Sequence, residues 1–254
     1  MNLISMAKQK DGFLGEQALV LPPTIVQRMK TDPATSILYI TDIGYYPKAY
    51  NHFRERETPI DQYVFIYCTE GRGWFSLDGQ KHPVVPNQYF ILPAGLPHAY
   101  GADEKEPWTI YWIHFGGTLA PLYCTHRTCR LTDIKPGMHS RISYRTELFE
   151  EIFRVLKMGY SLENLSYASS VFHHYLGSLR YLREYREAFS EHRPAGEEDP
   201  VNAAIHYMKE NLGKKLTLAE LADYTGYSSS YFSNLFLKRT GYALSLIHIS
   251  EPTR

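Results

Sequence analysis

The segment from Thr217 to Gly241 restricts the fold of this chain more than any other part of the sequence. Thr217 and Glu220 have the Thr-x-x-Glu spacing of a capping box, in which two residues bond each other's backbone N–H groups at the start of a helix. Gly226 ends that helix, because glycine readily adopts the left-handed backbone conformation of a helix C-terminus. The pattern therefore predicts a short helix with a defined start and a defined end.

A second helix follows this glycine. Ser228 or Ser229 provides its N-cap, and Gly241 ends it after two basic residues that suit the negative end of the helix dipole. The residues expected to face inward on the two helices are apolar or small, namely Leu218, Leu221, Ala222, Phe232, Leu235 and Phe236. Little side-chain bulk at the crossing lets two helices pack at a steep angle, as in a helix-turn-helix. An ordinary helical hairpin is the alternative.

The outward residues near the start of the second helix of a helix-turn-helix face base edges in the major groove. Here these residues are Ser230, Tyr231, Ser233 and Asn234, of which the asparagine can pair with adenine through two hydrogen bonds. Basic residues suit phosphate contacts, and the candidates are Lys238 and Arg239, together with Lys214 and Lys215. Each of these basic residues can equally be a solvated surface charge.

The first part of the chain, from about Leu21 to Phe115, consists of short apolar runs separated by glycine, proline and aspartate. The runs with the length and residue content of strands are 63–68, 73–77, 89–92 and 109–115. Asp78-Gly79 between two strand-like segments is a strong two-residue hairpin signal, because glycine tolerates positive φ. Short strands at this regular spacing predict a β-barrel or jelly roll.

Helical patterns replace the strand pattern in the middle of the chain. The first predicted helix covers Ile142 to Lys157, and the second carries apolar residues at alternating spacings of three and four, as in a coiled coil. The positions of this seam are Leu165, Ala168, Phe172, Tyr175, Leu179 and Leu182. We expect it to pair with the same helix of a second copy, so that the dimerisation residues are Leu165, Phe172, Leu179 and Leu182. Packing of this helix on the barrel of its own chain is the alternative.

Composition narrows the class of protein. The chain has 27 Lys and Arg residues and 27 Asp and Glu residues, so it is not a wholly basic nucleic-acid coat protein, although a locally basic DNA-binding module is compatible with it. No apolar run approaches the ~18 residues of a membrane span, and the charged N-terminal segment does not resemble a signal peptide. Three cysteines do not form a disulfide framework. These features predict a cytoplasmic protein.

Two segments of the chain resemble the AraC/XylS family of transcription regulators. LTLAELADYTGYSSSYFSNLFLKRTG, which ends at Gly241, is similar to the first helix-turn-helix of that family. Thr69 to Gly117, which contains LDGQ, ILPAGLPHAY and EPWTIYWIHF, resembles its N-terminal cupin-like effector domain. The resemblance implies a cupin barrel that senses a small molecule, often a sugar, followed by a helical dimerisation unit. It also implies a DNA-binding domain with two helix-turn-helix motifs.

The expected fold class is α+β, with an N-terminal cupin-like β-barrel (jelly roll), a helical dimerisation segment and a C-terminal all-α helix-turn-helix domain. The expected boundaries are an N-terminal arm at 1–20, the barrel at 21–130, the helical segment at 131–190, a linker at 191–200 and the helix-turn-helix domain at 201–254. The linker is assigned because EHRPAGEEDP is polar and interrupted by proline and glycine. Members of the family continue into a second helix-turn-helix, which SLIHISEPTR does not resemble. We therefore expect a truncated DNA-binding domain that by itself has reduced affinity for DNA.

Cupin barrels also occur as metal enzymes. The metal-binding type offers His-x-His and a glutamate on one strand and a later histidine across the barrel, ligands that suit iron or manganese. GRGWFSLDG, at the place of the first motif, contains no histidine, so that only His98 matches a ligand and His82 and His114 lie elsewhere. A second candidate group is Cys124, His126 and Cys129, which lacks a fourth ligand nearby. We expect neither a metal nor catalysis, and a metal-dependent cupin enzyme with an accessory helical domain is the alternative.

The strand-like segments contain the candidate effector-binding residues. Strand alternation places Trp108, Ile110 and Trp112 on one face and Thr109, Tyr111 and Ile113 on the other, without indicating which face points inward. Aromatic faces can cover the apolar side of a sugar ring, while arginine or histidine bonds its hydroxyls. The candidates are Arg72, His98, Tyr100, Trp108 and Trp112, and the resemblance implies ligand contacts for Tyr100 and Trp112. Each aromatic residue can equally belong to the core. The sequence thus predicts a regulator whose partners are promoter DNA, a carbohydrate effector and a second copy of the chain.

Overall fold

A computed structural model describes residues 8–124, 129–134, 136, 140–190, 200–211 and 216–244. The chain divides into two compact units, which we call the barrel unit (Met1–Ile134 with Ser143–Arg180) and the helical unit (Lys135–Ile142 with Tyr181–Arg254). Within the described ranges, no helix is both long and apolar enough to cross a membrane.

Two antiparallel sheets form the barrel unit. The six-stranded sheet has the order β1 (Gln17–Val20), β2 (Tyr39–Tyr46), β9 (Thr109–Gly116), β4 (Tyr63–Glu70), β7 (Gln88–Leu92) and β10 (Thr132–Asp133). The four-stranded sheet has the order β3 (Phe53–Arg56), β8 (His98–Ala102), β5 (Gly73–Leu77) and β6 (Gln80–Val84). The expected cupin-like fold and the four strand-like runs are therefore confirmed. Strand β1 lies inside the range 1–20 that the sequence assigns to an N-terminal arm.

The hairpin at Asp78-Gly79 joins β5 to β6 as predicted. Both residues have positive φ, 51° and 75°, which is the backbone conformation of the two-residue turn that matches the twist of paired strands. Local turn chemistry therefore fixes the register of this pair, in which Leu77 lies opposite Gln80.

Alternation along β9 separates the barrel interior from its outer face. Trp108, Ile110 and Trp112 belong to the buried cluster inside the barrel. Tyr111 lies on the other side, where its ring contacts Phe149 with centroids 4.8 Å apart. The structure thus settles which face of this strand points inward.

The described part of the barrel unit contains four helices, α1 (Pro23–Thr31), α2 (Ala120–Tyr123), α3 (Ile142–Lys157) and α4 (Leu162–Arg180). The bounds predicted for α3 are confirmed. On α4, Leu165, Phe172 and Leu179 are all at most 2% exposed within one chain. The ring of Phe172 packs edge-on against Phe115 of the sheet, with centroids 5.3 Å apart. These three seam residues therefore pack inside their own chain, which is the alternative that the sequence left open.

The spacing of the seam predicts one continuous helix through Leu182, but the chain forms two helices here. Helix α4 ends at Arg180, and Leu182 begins a new helix, α5 (Leu182–Ser190). Side chains bond the last carbonyls of α4, because Arg145 Nη2 donates to Ser178 O at 3.0 Å and Tyr89 Oη donates to Leu179 O at 3.1 Å. Tertiary contacts thus end a helix whose apolar pattern continues.

Three helices pack together in the helical unit: α6 (Pro200–Glu210), α7 (Leu218–Thr225) and α8 (Ser229–Thr240). Their shared buried core consists of Val201, Ala204, Met208, Leu221, Ala222, Phe232 and Phe236, and Leu235 is partly buried against it. Leu218 differs from expectation, because it lies in the first turn of α7 and is 36% exposed.

The helix caps match their sequence signals. Thr217 and Glu220 form both hydrogen bonds of the capping box, and Gly226 ends α7 in the left-handed conformation with φ 79°. Ser228, rather than Ser229, caps α8, and its hydroxyl accepts a hydrogen bond from Tyr231 N. The helix-turn-helix geometry is therefore defined by local chemistry.

Replacing Thr217 by alanine is expected to lower the free energy of unfolding of the helical unit by about 1 kcal/mol, within a range of roughly 0.5–2 kcal/mol. The hydroxyl that accepts from Glu220 N is lost, and with it the reciprocal arrangement of the box. Urea unfolding followed by circular dichroism measures this change. Ser230→Ala, at an exposed position of α8, is the control, and equal stability of the two variants would contradict the prediction.

Candidate functional site

One end of the barrel interior is polar. Asp42 of β2 lies opposite His114 of β9, and Arg56 of β3 lies opposite His98 of β8. Residues directly opposite each other in an antiparallel pair share a face of the sheet. The charges of Arg56 and of His114 both lower the pKa of His98, although burial lowers it most, so the two polar pairs lie within electrostatic reach of each other.

The environment of Asp42 favours its ionised carboxylate, which can only accept hydrogen bonds. Burial raises its pKa, but hydrogen bonds from His114 and Thr41 outweigh that effect and keep the pKa below its usual value. Thr41 Oγ1 donates to Asp42 Oδ2 at 2.6 Å, and His114 Nδ1 lies 3.5 Å from the same oxygen. Burial lowers the pKa of His114, and the contact with Asp42 offsets this only in part. This pair supplies a fixed negative charge at the polar end of the barrel.

Three buried polar atoms of this region have no hydrogen-bond partner among the described residues: Arg56 Nε, His98 Nε2 and Trp112 Nε1. His98 Nδ1 lies 3.0 Å from Leu96 O, which can only accept, so Nδ1 carries the proton. Burial lowers the pKa of His98 to about 4, so the ring is neutral and Nε2 is an open acceptor. The region therefore offers two N–H donors and one lone pair. Such unsatisfied buried groups are uncommon in folded proteins.

Trp108 has a different environment. Its side chain is fully buried, and Nε1 donates to His52 Nδ1 at 3.1 Å, so its polar atom is satisfied. A Cβ at Gly73 would lie only 2.0 Å from a carbon of this indole, so glycine makes room for the ring. Burial, with a smaller contribution from the charge of Arg54, lowers the pKa of His52 to about 3. Trp108 is thus fixed in the core.

The predicted effector residues do not all come together. Tyr100, Trp108 and Trp112 belong to the interior cluster, and the ring of His98 stacks over Tyr100 with centroids 6.1 Å apart. Arg72 lies on the surface, where its Nε forms an ion pair with Glu106 at 2.8 Å and its side chain is 61% exposed. The chain places it in the turn between β4 and β5, so it does not reach the interior.

No role follows from the sequence for three polar residues of the interior, namely Asp42 and Arg56, which no pattern singles out, and His114, which does not match a metal ligand. No local motif marks them, since each meets its partner only through pairing of strands far apart in the sequence. Within the described residues, no group of three His, Cys, Asp or Glu side chains has the geometry of a metal site. Of the second metal candidate, His126 lies outside those residues, and Cys124 Sγ donates to Ile91 O at 3.4 Å.

The outer surface of α8 presents most of the predicted DNA-contacting residues. Ser230, Tyr231, Asn234, Lys238 and Arg239 are exposed, and Ser233 is half-buried. The opposite side of the helix is anchored in the core of the helical unit by two phenylalanines. The ring of Tyr231 stacks on that of Tyr227, with centroids 5.0 Å apart. Lys214 and Lys215 lie outside the described residues.

Stability of the barrel unit is expected to fall as the pH is lowered below about 6.5. His52 and His98 stay neutral in the folded chain down to pH values near about 3 and about 4, whereas their ordinary pKa is 6.5. The unfolded state therefore binds more protons between these values, and stability that is present above pH 6.5 is lost as the pH falls. Each histidine contributes a slope that is about 0.7 kcal/mol per pH unit at pH 6.5 and approaches about 1.4 kcal/mol per pH unit about one unit lower.

Urea unfolding between pH 7 and pH 5.5 measures this slope while most carboxylates remain ionised. Averaged over this range, His98→Gln is expected to reduce the slope by about 0.8 kcal/mol per pH unit, because the unfolded histidine is only partly protonated there. An unchanged slope in His98→Gln would contradict the prediction.

Comparison with known proteins agrees with both units. The family model of the AraC-like ligand binding domain matches residues 43–175, and that of bacterial regulatory helix-turn-helix proteins of the AraC family matches residues 208–247. The MmsAB operon regulatory protein of Pseudomonas aeruginosa is 29% identical over 229 residues, which cover 88% of this chain and 70% of that protein. The raffinose operon transcriptional regulatory protein of Pediococcus pentosaceus is 29% identical over 191 residues, covering 69% and 62%.

A third relative, the lactose operon transcription activator of Staphylococcus xylosus, is 24% identical over 203 residues, which cover 79% of this chain and 68% of that protein. The match to the ligand-binding model alone extends over more than half of the chain. A capped helix-turn-helix follows it in the sequence, within the residues that the second family model matches. The chain therefore belongs to the AraC family of bacterial DNA-binding transcription regulators and carries that family's ligand-binding domain.

Proposed function

We propose that this chain regulates transcription in response to a carbohydrate, which binds at the polar end of the barrel and changes how α8 engages promoter DNA. The observation that carries the effector class is the set of unpartnered atoms, Arg56 Nε, His98 Nε2 and Trp112 Nε1. A hydroxyl group both donates and accepts, so a polyhydroxylated ligand can satisfy all three atoms. A carboxylate only accepts, and it would place an anion against the lone pair of His98.

Two further observations support a carbohydrate. Tyr100 and Trp112 add aromatic surface in the same interior, which suits the apolar side of a sugar ring. The relatives from Pediococcus and Staphylococcus are named for raffinose and lactose operons. We assign effector contacts to His98, Tyr100 and Trp112, and we add Arg56. Trp108 has a structural role in the core beside these residues, and Arg72 has no contact with the effector in the proposal.

Thermal unfolding with a panel of mono- and disaccharides, their sugar acids and divalent metals tests the effector class. A sugar at 100 times its Kd is expected to stabilise the folded chain by about 2.7 kcal/mol. Arg56→Met should abolish the shift, because it removes a buried donor, whereas Arg72→Met on the surface should retain it. Stabilisation by sugar acids alone would contradict the assignment. Stabilisation by metals alone would favour a cupin enzyme.

We propose that Asn234 reads adenine, that Ser230, Tyr231 and Ser233 lie beside neighbouring bases, and that Lys238 and Arg239 contact phosphates. Exposure of this face of α8, opposite its buried side, supports these roles. Selection of binding sequences from a randomised duplex pool by the intact chain provides the test. Asn234→Ala should cost about 1–3 kcal/mol on the selected sequence and relax the preference for adenine at one position. Lys238→Ala should instead weaken binding to all sequences and reduce the salt slope by about one.

The homodimer remains a proposal. Because the seam of α4 packs within its own chain, pairing through α4 would use its exposed side, which includes Tyr167, Ser170 and His174. Leu182 lies in α5, outside this helix. Analytical ultracentrifugation tests the assembly: a dimer that dissociates on Ser170→Arg supports this surface, and a monomer at every concentration contradicts the dimer. The domain boundaries drawn from the sequence and a cytoplasmic location are likewise part of the proposal.

A further inference from the structure

A cleft of about 430 Å³ lies in the barrel unit, on the outer side of the six-stranded sheet beside α3. Its lining comes from β1, β2, β9 and α3, and consists of Gln17, Tyr45, Tyr111, Phe149, Glu150, Phe153 and Arg154. Tyr111 points away from the barrel interior, because it alternates with the inward-facing Ile110 and Trp112. The cleft is therefore separated by the sheet from the polar end of the barrel.

The floor of the cleft is aromatic. Tyr45 and Tyr111 lie directly opposite each other in the pairing of β2 with β9, and their ring centroids are 4.8 Å apart. Phe149 packs edge-on against Tyr111 and supports it from α3. Within the described residues, neither tyrosine hydroxyl has a protein hydrogen-bond partner. Both half-buried rings thus present aromatic surface and a free hydroxyl to the cleft.

Two carboxylates act on the tyrosines of this floor, one from the lining and one from outside it. Burial raises the pKa of Tyr111 most, and the charges of Glu150 and Glu70 raise it further, so both carboxylates act on the same ring. Burial raises the pKa of Tyr45 as well, and the charge of Glu70 raises it further. Glu150 lies exposed at the rim and forms no ion pair with a described residue. Arg154, one helical turn further along α3, also lines the cleft and contributes one positive charge.

We propose that this cleft is a second ligand site, which takes a small alkylammonium compound over the rings of Tyr45 and Tyr111 with Glu150 as its counter-charge. An aromatic face attracts a cation through its quadrupole, and a nearby carboxylate strengthens that attraction. Arg154 and Gln17 suit a polar or anionic tail on the same ligand. The site goes beyond the proposed sensing of a carbohydrate and depends on different residues.

Isothermal titration of the intact chain with choline and with tetramethylammonium, at constant ionic strength, tests the site. The neutral carbon isostere of choline, 3,3-dimethylbutan-1-ol, has the same shape without the charge and is expected to bind at least about tenfold more weakly. Glu150→Gln and Tyr45→Leu should each weaken choline binding by about tenfold or more. Both positions are partly or fully exposed, and circular dichroism confirms that these variants fold.

Two control variants test whether choline binds in this cleft rather than elsewhere on the chain. Glu147→Gln removes an exposed carboxylate from α3 outside the cleft and should leave choline binding unchanged. Arg56→Met removes the proposed effector contact inside the barrel and should also leave it unchanged. The proposal is overturned if neither cation binds saturably, if the neutral isostere binds as tightly as choline, or if Glu150→Gln binds like the original chain.

Discussion

Replacing Trp108 by alanine is expected to lower the free energy of unfolding of the barrel unit by about 3–5 kcal/mol. The indole is fully buried between the two sheets, and the absence of a side chain at Gly73 shapes the space around it. Its loss leaves a cavity, and His52 Nδ1 loses the hydrogen bond that Nε1 donates. A change of this size is a large fraction of the stability of a single domain.

Urea unfolding monitored at equilibrium measures this loss, and Trp74→Ala is the matched control. Trp74 is half-buried on the four-stranded sheet, where Lys81 Nζ lies 4.0 Å from its ring centre. Its removal creates no enclosed cavity, so a cost of about 1 kcal/mol is expected. If the two tryptophan variants lost stability equally, Trp108 would not be the core residue that the structure shows.

Replacing Phe232 by alanine is expected to destabilise the helical unit by about 3–5 kcal/mol and to abolish DNA binding as a consequence. Phe232 is fully buried on the inner side of α8, next to Phe236, with ring centroids 6.0 Å apart. Among the residues that the structure describes, the core that joins α6, α7 and α8 contains seven buried residues. A unit this small has little stability to lose, so most molecules of the variant should have an unfolded helical unit.

The neighbouring variant Tyr231→Ala separates folding from recognition. Tyr231 is 54% exposed on the opposite side of the same helix. Its removal should leave the helical content and its melting temperature nearly unchanged, and reduce affinity for the selected duplex. Circular dichroism and fluorescence anisotropy of labelled DNA measure the two effects. DNA affinity that survives Phe232→Ala would contradict the assignment of α8 as the DNA-reading helix.

Features that depend on neighbouring residues could be predicted from the sequence. The capping box at Thr217, the left-handed Gly226 and the hairpin at Asp78-Gly79 each involve a few adjacent residues, and the structure confirms all three. The bounds of α3 follow from an apolar stripe that one face of the sheet covers. In these places, local chemistry and the tertiary structure favour the same conformation.

Features that depend on pairing between distant parts of the chain could not be predicted from the sequence. Arg56 joins the interior because β3 pairs with β8, and no pattern around it indicates that partner. Arg72 has the right chemistry for a sugar but lies in a turn, where Glu106 is its partner instead. The break between α4 and α5 depends on Arg145 and Tyr89, which bond the carbonyls of α4 from outside that helix. The apolar seam alone therefore predicts a longer helix than the chain forms.

The most direct test of the proposed function measures both partners on one sample. The affinity of the intact chain for its selected duplex is determined by fluorescence anisotropy, with and without a saturating amount of the sugar that stabilises it. Coupling between two sites of this kind changes affinity by about 5–150-fold, and the duplex must change the affinity for the sugar by the same factor. We expect such a reciprocal change, which Arg56→Met removes. Equal duplex affinity with and without the bound sugar would contradict an effector-responsive regulator.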